Sequence, residues 1–326
     1  MSTSAYRLFD VVATDVSRPS PGFVRVVLSG PDLERFGFVG IDQRVKLLLP
    51  NRRGTIPQLE DGDGWYQSWC ALDDEERPPM RTYTPRAFSR DARGARLTID
   101  FARHDAHPGP ASAWAEAAVV GDAIAILGPD AEYDGPNSAV GWIPPRAARR
   151  FLIVGDDTAL PAIAGILASL DSDACARVIL EVSDAADAAL LEAGAIQSAG
   201  RLELTVLERE ESDRGAALVA AVRALADVFP GAETPIREAA SEADEINAAE
   251  WQEIDVDREI LWEVPGINAI TGAPLPTDPR HSEGYAWLAG EAGAIKLIRR
   301  QLVQERGINR QSVAFMGYWR RGRAEN

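Results

Sequence analysis

The segment Arg81-Thr82-Tyr83-Thr84-Pro85-Arg86 sets a fixed cation, a flat aromatic ring and hydroxyl donors close together on one short extended stretch. Alternation of side chains along a strand would place Arg81, Tyr83 and Pro85 on one side and Thr82, Thr84 and Arg86 on the other. A guanidinium can hold a pyrophosphate, a ring can lie against a flat heterocycle, and a hydroxyl can donate to its polar rim. These are the group types that a flavin dinucleotide needs. An exposed β edge rich in Arg, Thr and Tyr would read the same way.

A second segment narrows the choice. Asp100-Phe101-Ala102-Arg103-His104 runs on through Pro108-Gly109-Pro110-Ala111-Ser112-Ala113-Trp114-Ala115. Gly109 permits close approach of backbone. The helix that follows would offer a phosphate its unpaired N–H groups, its positive dipole end and the Ser112 hydroxyl. An ordinary capped surface helix is the competing interpretation. Further on, Val154-Gly155-Asp156-Asp157-Thr158-Ala159-Leu160-Pro161 reads as a strand, a tight polar turn and a helix. The first turn of that helix could face both a flavin and an incoming nicotinamide. It lacks the GxGxxG fingerprint, so a tightly held dinucleotide of the dehydrogenase type is not expected.

Other chemistries find little support. The three histidines, His104, His107 and His281, show no metal-ligand spacing, and Cys70 and Cys175 form no CxxC pair. No protein-bound metal is expected, and both thiols are expected to be reduced and structural. No nucleophile motif or phosphate loop occurs, so no catalytic side chain is assigned.

The elements that must carry these residues fall into two patterns within a 326-residue chain that is 46% apolar and 26% charged, enough for two modest cores. Before about residue 140, short strands are expected at Leu8 to Val16, Phe23 to Leu28, Val45 to Leu49, Arg81 to Thr84, Leu97 to Arg103 and Asp122 to Leu127. That spacing suggests an antiparallel barrel or sandwich, with one helix at Pro110 to Ala118. Beyond Gly135 to Pro145, strands alternate with helices, the pattern of a parallel α/β domain. Strands are expected at Phe151 to Val154, Arg177 to Val182, Leu202 to Leu207, Tyr285 to Ala289 and Val313 to Met316. Helices are expected at Leu160 to Leu170, Gly215 to Phe229 and Glu291 to Arg306. Ala232 to His281 reads as an excursion with a possible helix from Pro235 to Trp251.

Charge limits the partners. A net charge of −16 argues against nucleic acid or an anionic membrane, both of which demand a broad basic surface. The charge is uneven: Ala232 to Glu263 holds eleven Asp/Glu against two Arg, and Lys296 to Arg323 holds eight Lys/Arg against one Glu, which makes the C-terminal end the better anion site. With no basic leader followed by an apolar run and no long apolar stretch, a cytoplasmic protein without membrane insertion is expected.

Taken together, Arg81, Tyr83 and Thr84, Asp100 and Phe101, His104, Gly109 to Ser112 with Trp114 and Ala115, and Gly121-Asp122 resemble the flavin-binding barrel of the ferredoxin-NADP reductase superfamily. More narrowly, the chain resembles the siderophore-interacting protein family. Gly155-Asp156-Asp157-Thr158-Ala159-Leu160-Pro161, Trp287-Leu288-Ala289-Gly290-Glu291 and Gly317-Tyr318-Trp319-Arg320-Arg321-Gly322 extend the likeness over most of the chain, apart from roughly 208–281. It departs at Asp105-Ala106-His107, where the family more often has Gly directly after the His, and at Asp157, which replaces a Glu.

The resemblance implies a two-domain β plus α/β protein: an FAD-binding, antiparallel Greek-key β-barrel over 1–140, then an NAD(P)H-binding-like domain with a mainly parallel sheet over 141–326, with an acidic insertion at about 208–281. It implies FAD bound through Arg81, Thr82, Tyr83, Thr84, Asp100, Phe101, Ala102, His104, Gly109, Ala111, Ser112, Asp156 and Thr158. Lys46, in Val45-Lys46-Leu47, and Arg320 are the implied contacts for an anionic ferric siderophore. The implied activity is transfer of electrons from NADH or NADPH through FAD to siderophore-bound ferric iron. Its rivals are a flavin reductase with another acceptor, such as a ferredoxin or a quinone, and a siderophore or flavin carrier without turnover. Trp287 is expected to be core packing.

Overall fold

The computed structural model describes residues 4–60, 62–103, 108–135, 139–191, 201–209, 214–231, 262–265 and 283–321. They group into two compact units, one up to Val140 and one from Gly141 onward. The possible helix from Pro235 to Trp251 lies outside the described residues.

Seven strands build the first unit: β1 (Tyr6–Ser20), β2 (Phe23–Ser29), β3 (Val45–Leu48), β4 (Met80–Tyr83), β5 (Pro85–Asp91), β6 (Gly94–Ala102) and β7 (Ala123–Pro129). They form one antiparallel sheet in the order β4-β3-β7-β1-β2-β6-β5. Period-two alternation makes its core. Val26 and Leu28 of β2 and Ala95, Leu97, Ile99 and Phe101 of β6 point inward with Phe9, Val11, Leu47 and Ile126. β4 and β5 lie at opposite ends of this order, yet only Thr84 separates them in the chain. The sheet must therefore curl until its ends approach, and Tyr83 of β4 does rest on Phe101 of β6, with ring centroids 4.7 Å apart. The fifteen-residue β1 accommodates the curl through register shifts at Ala13/Asp15 and Ser17/Ser20. The expected antiparallel barrel is thus a curled half-barrel.

Two short helices accompany the sheet. α1 (Trp65–Cys70), which no sequence pattern announces, carries the exposed Cys70. α2 (Pro110–Ala117) buries Ala111, Ser112 and Ala115, and sets Trp114 against Phe101 at 5.7 Å.

The second unit contains β8 (Arg150–Asp156), α3 (Leu160–Ser169), β9 (Cys175–Val182), β10 (Arg201–Glu208), α4 (Ala216–Ala224), β11 (Trp262–Glu263), β12 (Gly284–Glu291), α5 (Ala292–Arg300) and β13 (Val313–Trp319). The strand order is β10-β9-β8-β12-β13-β11, parallel throughout except at β11. β8 and β12 are near-continuous apolar runs because helices cover both faces of such a sheet. The chain builds outward from β8 to β10 and then resumes on the other side at β12, so the winding reverses between β8 and β12.

Three sequence expectations are corrected. The strand expected through Thr84 ends at Tyr83, because Pro85 has no N–H and restricts the residue before it; Thr84 and Pro85 are both buried, which breaks the alternation foreseen across residues 81–86. The helix expected to Phe229 stops at Ala224, and Val228 and Phe229 still reach the core without it. The last helix takes Glu291 as its N-cap and passes at Gln301 into a π turn that ends at Glu305. No helix among the described residues is long and apolar enough to cross a membrane.

Candidate functional site

In the first unit, the β3–β4 ladder sets Lys46 opposite Thr82 and Leu47 opposite Arg81. The Lys46 ammonium donates to the Thr82 hydroxyl at 2.7 Å, which fixes both groups on one face of the sheet. Arg81 is half-buried and donates through Nη1 to the Met80 carbonyl at 2.8 Å. Tyr83 packs against the core, and burial pushes its phenol far above the usual range, with the charge of Arg81 offsetting only part of this. It therefore stays neutral and keeps its proton. Thr84 is buried at the turn between β4 and β5.

Asp100 is buried, and Arg25 grips its carboxylate in a two-pronged pair at 2.6 and 2.8 Å while Arg86 stands 3.7 Å away. Two guanidiniums against one carboxylate leave a positive surplus. Phe101 and Ala102 are core residues. Gly109 is the extended N-cap of α2, no side chain caps that end, and a Cβ at Gly109 would meet nothing within 4 Å. Ala111 and Ser112 are buried in the first turn, so backbone N–H groups are what this helix end presents. His104 lies outside the described residues. A guanidinium, a neutral phenol, threonine hydroxyls and an open, uncapped helix end form a donor set that fits the anionic and flat parts of a flavin dinucleotide.

In the second unit, Asp156 ends β8 at 3% exposure. Its Oδ1 accepts from the Thr158 amide at 3.0 Å and hydroxyl at 2.5 Å, and its Oδ2 from the Glu291 amide at 2.9 Å and the Trp319 indole at 2.8 Å. One carboxylate thus ties together the ends of β8, β12 and β13. Gly290 has φ +145°, and a Cβ there would stand 2.7 Å from Asp156 Oδ2, so the position demands glycine. Burial lifts Asp156 to about 6; the neighbouring Asp157 adds to this, and the bonds from Thr158, Trp319 and Glu291 oppose it. Asp157 accepts from Arg209 at 2.7 Å, with both side chains only 2% exposed. Glu181, at the end of β9, accepts from the Gly215 amide with both oxygens, at 2.9 and 3.2 Å. Burial also raises Asp157 and Glu181. This cluster borders the place where the winding reverses, outside the carboxyl ends of the strands, where sheets of this kind bind dinucleotides.

The residues expected from sequence therefore gather in two places. Arg81 to Thr84, Asp100 to Ala102 and Gly109 to Ser112 share one frame through the Tyr83–Phe101–Trp114 rings. Asp156 and Thr158 form the polar turn of the second unit. Lys46 belongs to the first unit and the half-buried Arg320 to the second. Trp287 is fully buried and meets Tyr318 edge-on, which accords with core packing. Sequence reasoning passed over Glu181, Arg209 and Gly290 as site residues. Glu181 did carry a signal, a lone charge within the apolar run Val178-Ile179-Leu180-Glu181-Val182. Arg209, set among acidic residues 52 positions from Asp157, carried none.

Two family models match the chain: a siderophore-interacting FAD-binding domain over residues 12–133 and a siderophore-interacting protein over residues 148–322. An uncharacterized protein of Mycobacterium tuberculosis is 28% identical over 97% of this chain and 91% of its own length. The ferric vibriobactin reductase ViuB of Vibrio cholerae is 32% identical over 52% of this chain and 56% of its own. Among solved structures, a siderophore utilization protein from T. fusca is 28% identical, with a TM-score of 0.61 over 98% of this chain and 94% of that one. The siderophore-interacting protein SipS of Aeromonas hydrophila is 25% identical, with a TM-score of 0.60 over 97% and 99%.

Proposed function

The chain belongs to the siderophore-interacting protein family, and from that premise we propose that it is an FAD-dependent reductase passing electrons from NAD(P)H to the ferric iron of a siderophore. The observation that carries the reading is the frame of the first unit. Tyr83, Phe101 and Trp114, at 4.7 and 5.7 Å, lock the Arg81 strand to the uncapped end of α2. Arg81 and the first N–H groups of α2 would hold the pyrophosphate, the Tyr83 ring would flank the isoalloxazine or ribityl, and Thr82 and Thr84 would donate to its polar atoms. Asp100 acts from below by orienting Arg25 and Arg86. FAD, when bound, supplies the exchange between the two electrons that nicotinamide gives and the one that ferric iron accepts.

In the second unit, Asp156 and Thr158 shape the turn against which the nicotinamide would lie. Lys46 and Arg320 would attract the anionic ferric siderophore. Iron needs no protein ligand, because hard oxygen donors that hold the ferric ion hold the ferrous ion far less well, so reduction releases it.

The absorption spectrum of the purified protein and its anaerobic bleaching by NAD(P)H test the proposal. Bleaching followed by rapid reoxidation with a ferric siderophore is expected. Faster reoxidation by quinones would favour a different acceptor, and no bleaching would favour a carrier. Lys46→Ala or Arg320→Ala should raise KM for an anionic ferric siderophore about fivefold, on the order of 1 kcal/mol, and leave flavin reduction unchanged. That effect should fade at 1 M salt, where the Debye length is about 3 Å.

A further inference from the structure

We infer that Trp319 is a positioning residue for the substrate: its indole braces the chain beside Arg320 against the Asp156 carboxylate and so holds the Arg320 guanidinium where an anionic ferric siderophore meets it. The inference rests on the reductase reading above. The strand that carries both residues departs from regular pairing at this point. β12 and β13 run in step from Ala286 opposite Val313 to Gly290 opposite Gly317, and the next pair is Glu291 with Trp319. β13 therefore holds one residue more than β12 here, Tyr318, a local bulge of the kind that re-aims a side chain. In strict register Trp319 would lie opposite Ala292. The bulge draws it back by one residue, about 3.3 Å, toward the row of Asp156.

The indole then has to reach β8 across β12, because β12 lies between β8 and β13 in the sheet. Gly290 makes the crossing possible, since a Cβ there would stand 2.7 Å from Asp156 Oδ2. Trp319 Nε1 donates to that same oxygen at 2.8 Å, and the Arg214 guanidinium lies over the indole, 5.7 Å from the ring centroid. A hydrogen bond thus holds the rim of the ring and a cation holds its face.

On the far side of Arg320, the Arg321 amide donates to Glu291 Oε1 at 3.3 Å. The other oxygen of that carboxylate accepts from the Ala294 amide at the start of α5, at 2.9 Å, which ties the anchor to the helix. The half-buried Arg320 is therefore the one residue between two anchored neighbours. A guanidinium on a backbone fixed beforehand loses less freedom when an anion binds, so the contribution of Trp319 belongs in substrate affinity.

The test is steady-state reduction, by the FAD-loaded protein, of an anionic ferric tris-catecholate and a neutral ferric tris-hydroxamate. Trp319→Phe keeps a ring and removes the N–H. It should raise KM for the tris-catecholate about threefold, the equivalent of one hydrogen bond, and change KM for the neutral chelate little. In an Arg320→Ala background the same substitution should add nothing, because its effect passes through Arg320. Glu291→Gln, which leaves one acceptor where two are used, should act in the same direction and carries the test if Trp319→Phe does not fold. An unaltered KM in the folded variant, an equal rise for the two chelates, or the same factor with and without Arg320 overturns the inference and leaves the reductase reading standing. If the reduced flavin of the native protein passes electrons to neither chelate, the reductase reading falls and the inference with it.

Discussion

In the first unit the buried carboxylate of Asp100 stands between two guanidiniums, Arg25 and Arg86, whereas at the carboxyl edge of the second unit the buried carboxylates of Asp156, Asp157 and Glu181 lie near the buried guanidinium of Arg209, which pairs with Asp157. Burial makes unpaired charge costly, so both arrangements must compensate. The first does so with excess cation. The second does so with neutral donors: the amides of Thr158, Gly215 and Glu291 and the indole of Trp319. The contrast teaches where an anion can go in a protein whose net charge is −16. The β unit carries a local positive surplus and an open helix end. The α/β edge is shaped by carboxylates that neutral donors and Arg209 hold in place.

The most direct way to break this contrast is Arg209→Ala, which strands Asp157 in the interior. Among the described residues, Asp157 Oδ1 already lacks a hydrogen-bond partner, so Arg209 is its main support. A loss of about 3–5 kcal/mol is expected in urea unfolding.

The response to pH sharpens the contrast. Asp156 is raised from 3.8 to about 6, so the folded state holds its proton more tightly than the unfolded chain does. The stability associated with that proton is complete below about 4 and is lost as pH rises through about 6, on the order of 3 kcal/mol. Trp319→Phe removes a bond that lowers this value and should move the midpoint upward. Glu116 in the β unit behaves oppositely: its hydrogen bond from Arg103 holds it below the usual range, so its contribution is lost as pH falls. Unfolding followed from about pH 2 to 8, with Asp156→Asn as the control that flattens the upper slope, checks both signs.

The smallest effect concerns the cofactor. Arg81→Ala should lower FAD occupancy by the equivalent of about 1.5–3 kcal/mol, and Trp287→Phe, in the core, should leave it nearly unchanged. Equal flavin content in the two purified variants would remove Arg81 from the proposed site.

Much of the fold was legible because its signals are local. The alternation in β2 and β6, the apolar runs of β8 and β12, and the Pro-Gly-Pro opening of α2 lie within a few residues of one another. The candidate site was legible where it is a contiguous motif, as at Arg81 to Thr84 and Gly109 to Ser112. It was not legible where chemistry depends on chain segments meeting. Trp319 reaches Asp156 across 163 positions, and Gly290 is needed only because the Asp156 carboxylate lies against it. β5 was missed for another reason: Arg86, Ser89, Arg90 and Asp91 make it too polar to read as a strand, and its ladder with β6 supplies what composition does not.

Thr84 has a consequence for connectivity. It is the sole residue between the two edge strands of the curled sheet, so backbone covalency does there what hydrogen bonds do in a closed barrel. Neither margin can splay outward without dragging the other, which shields both from pairing with a foreign chain. New termini placed at Thr84 would free the two margins at once and invite self-association. New termini at Arg93, in the tight hairpin where Asp91 pairs with Gly94, would open only a loop and leave the margins tied.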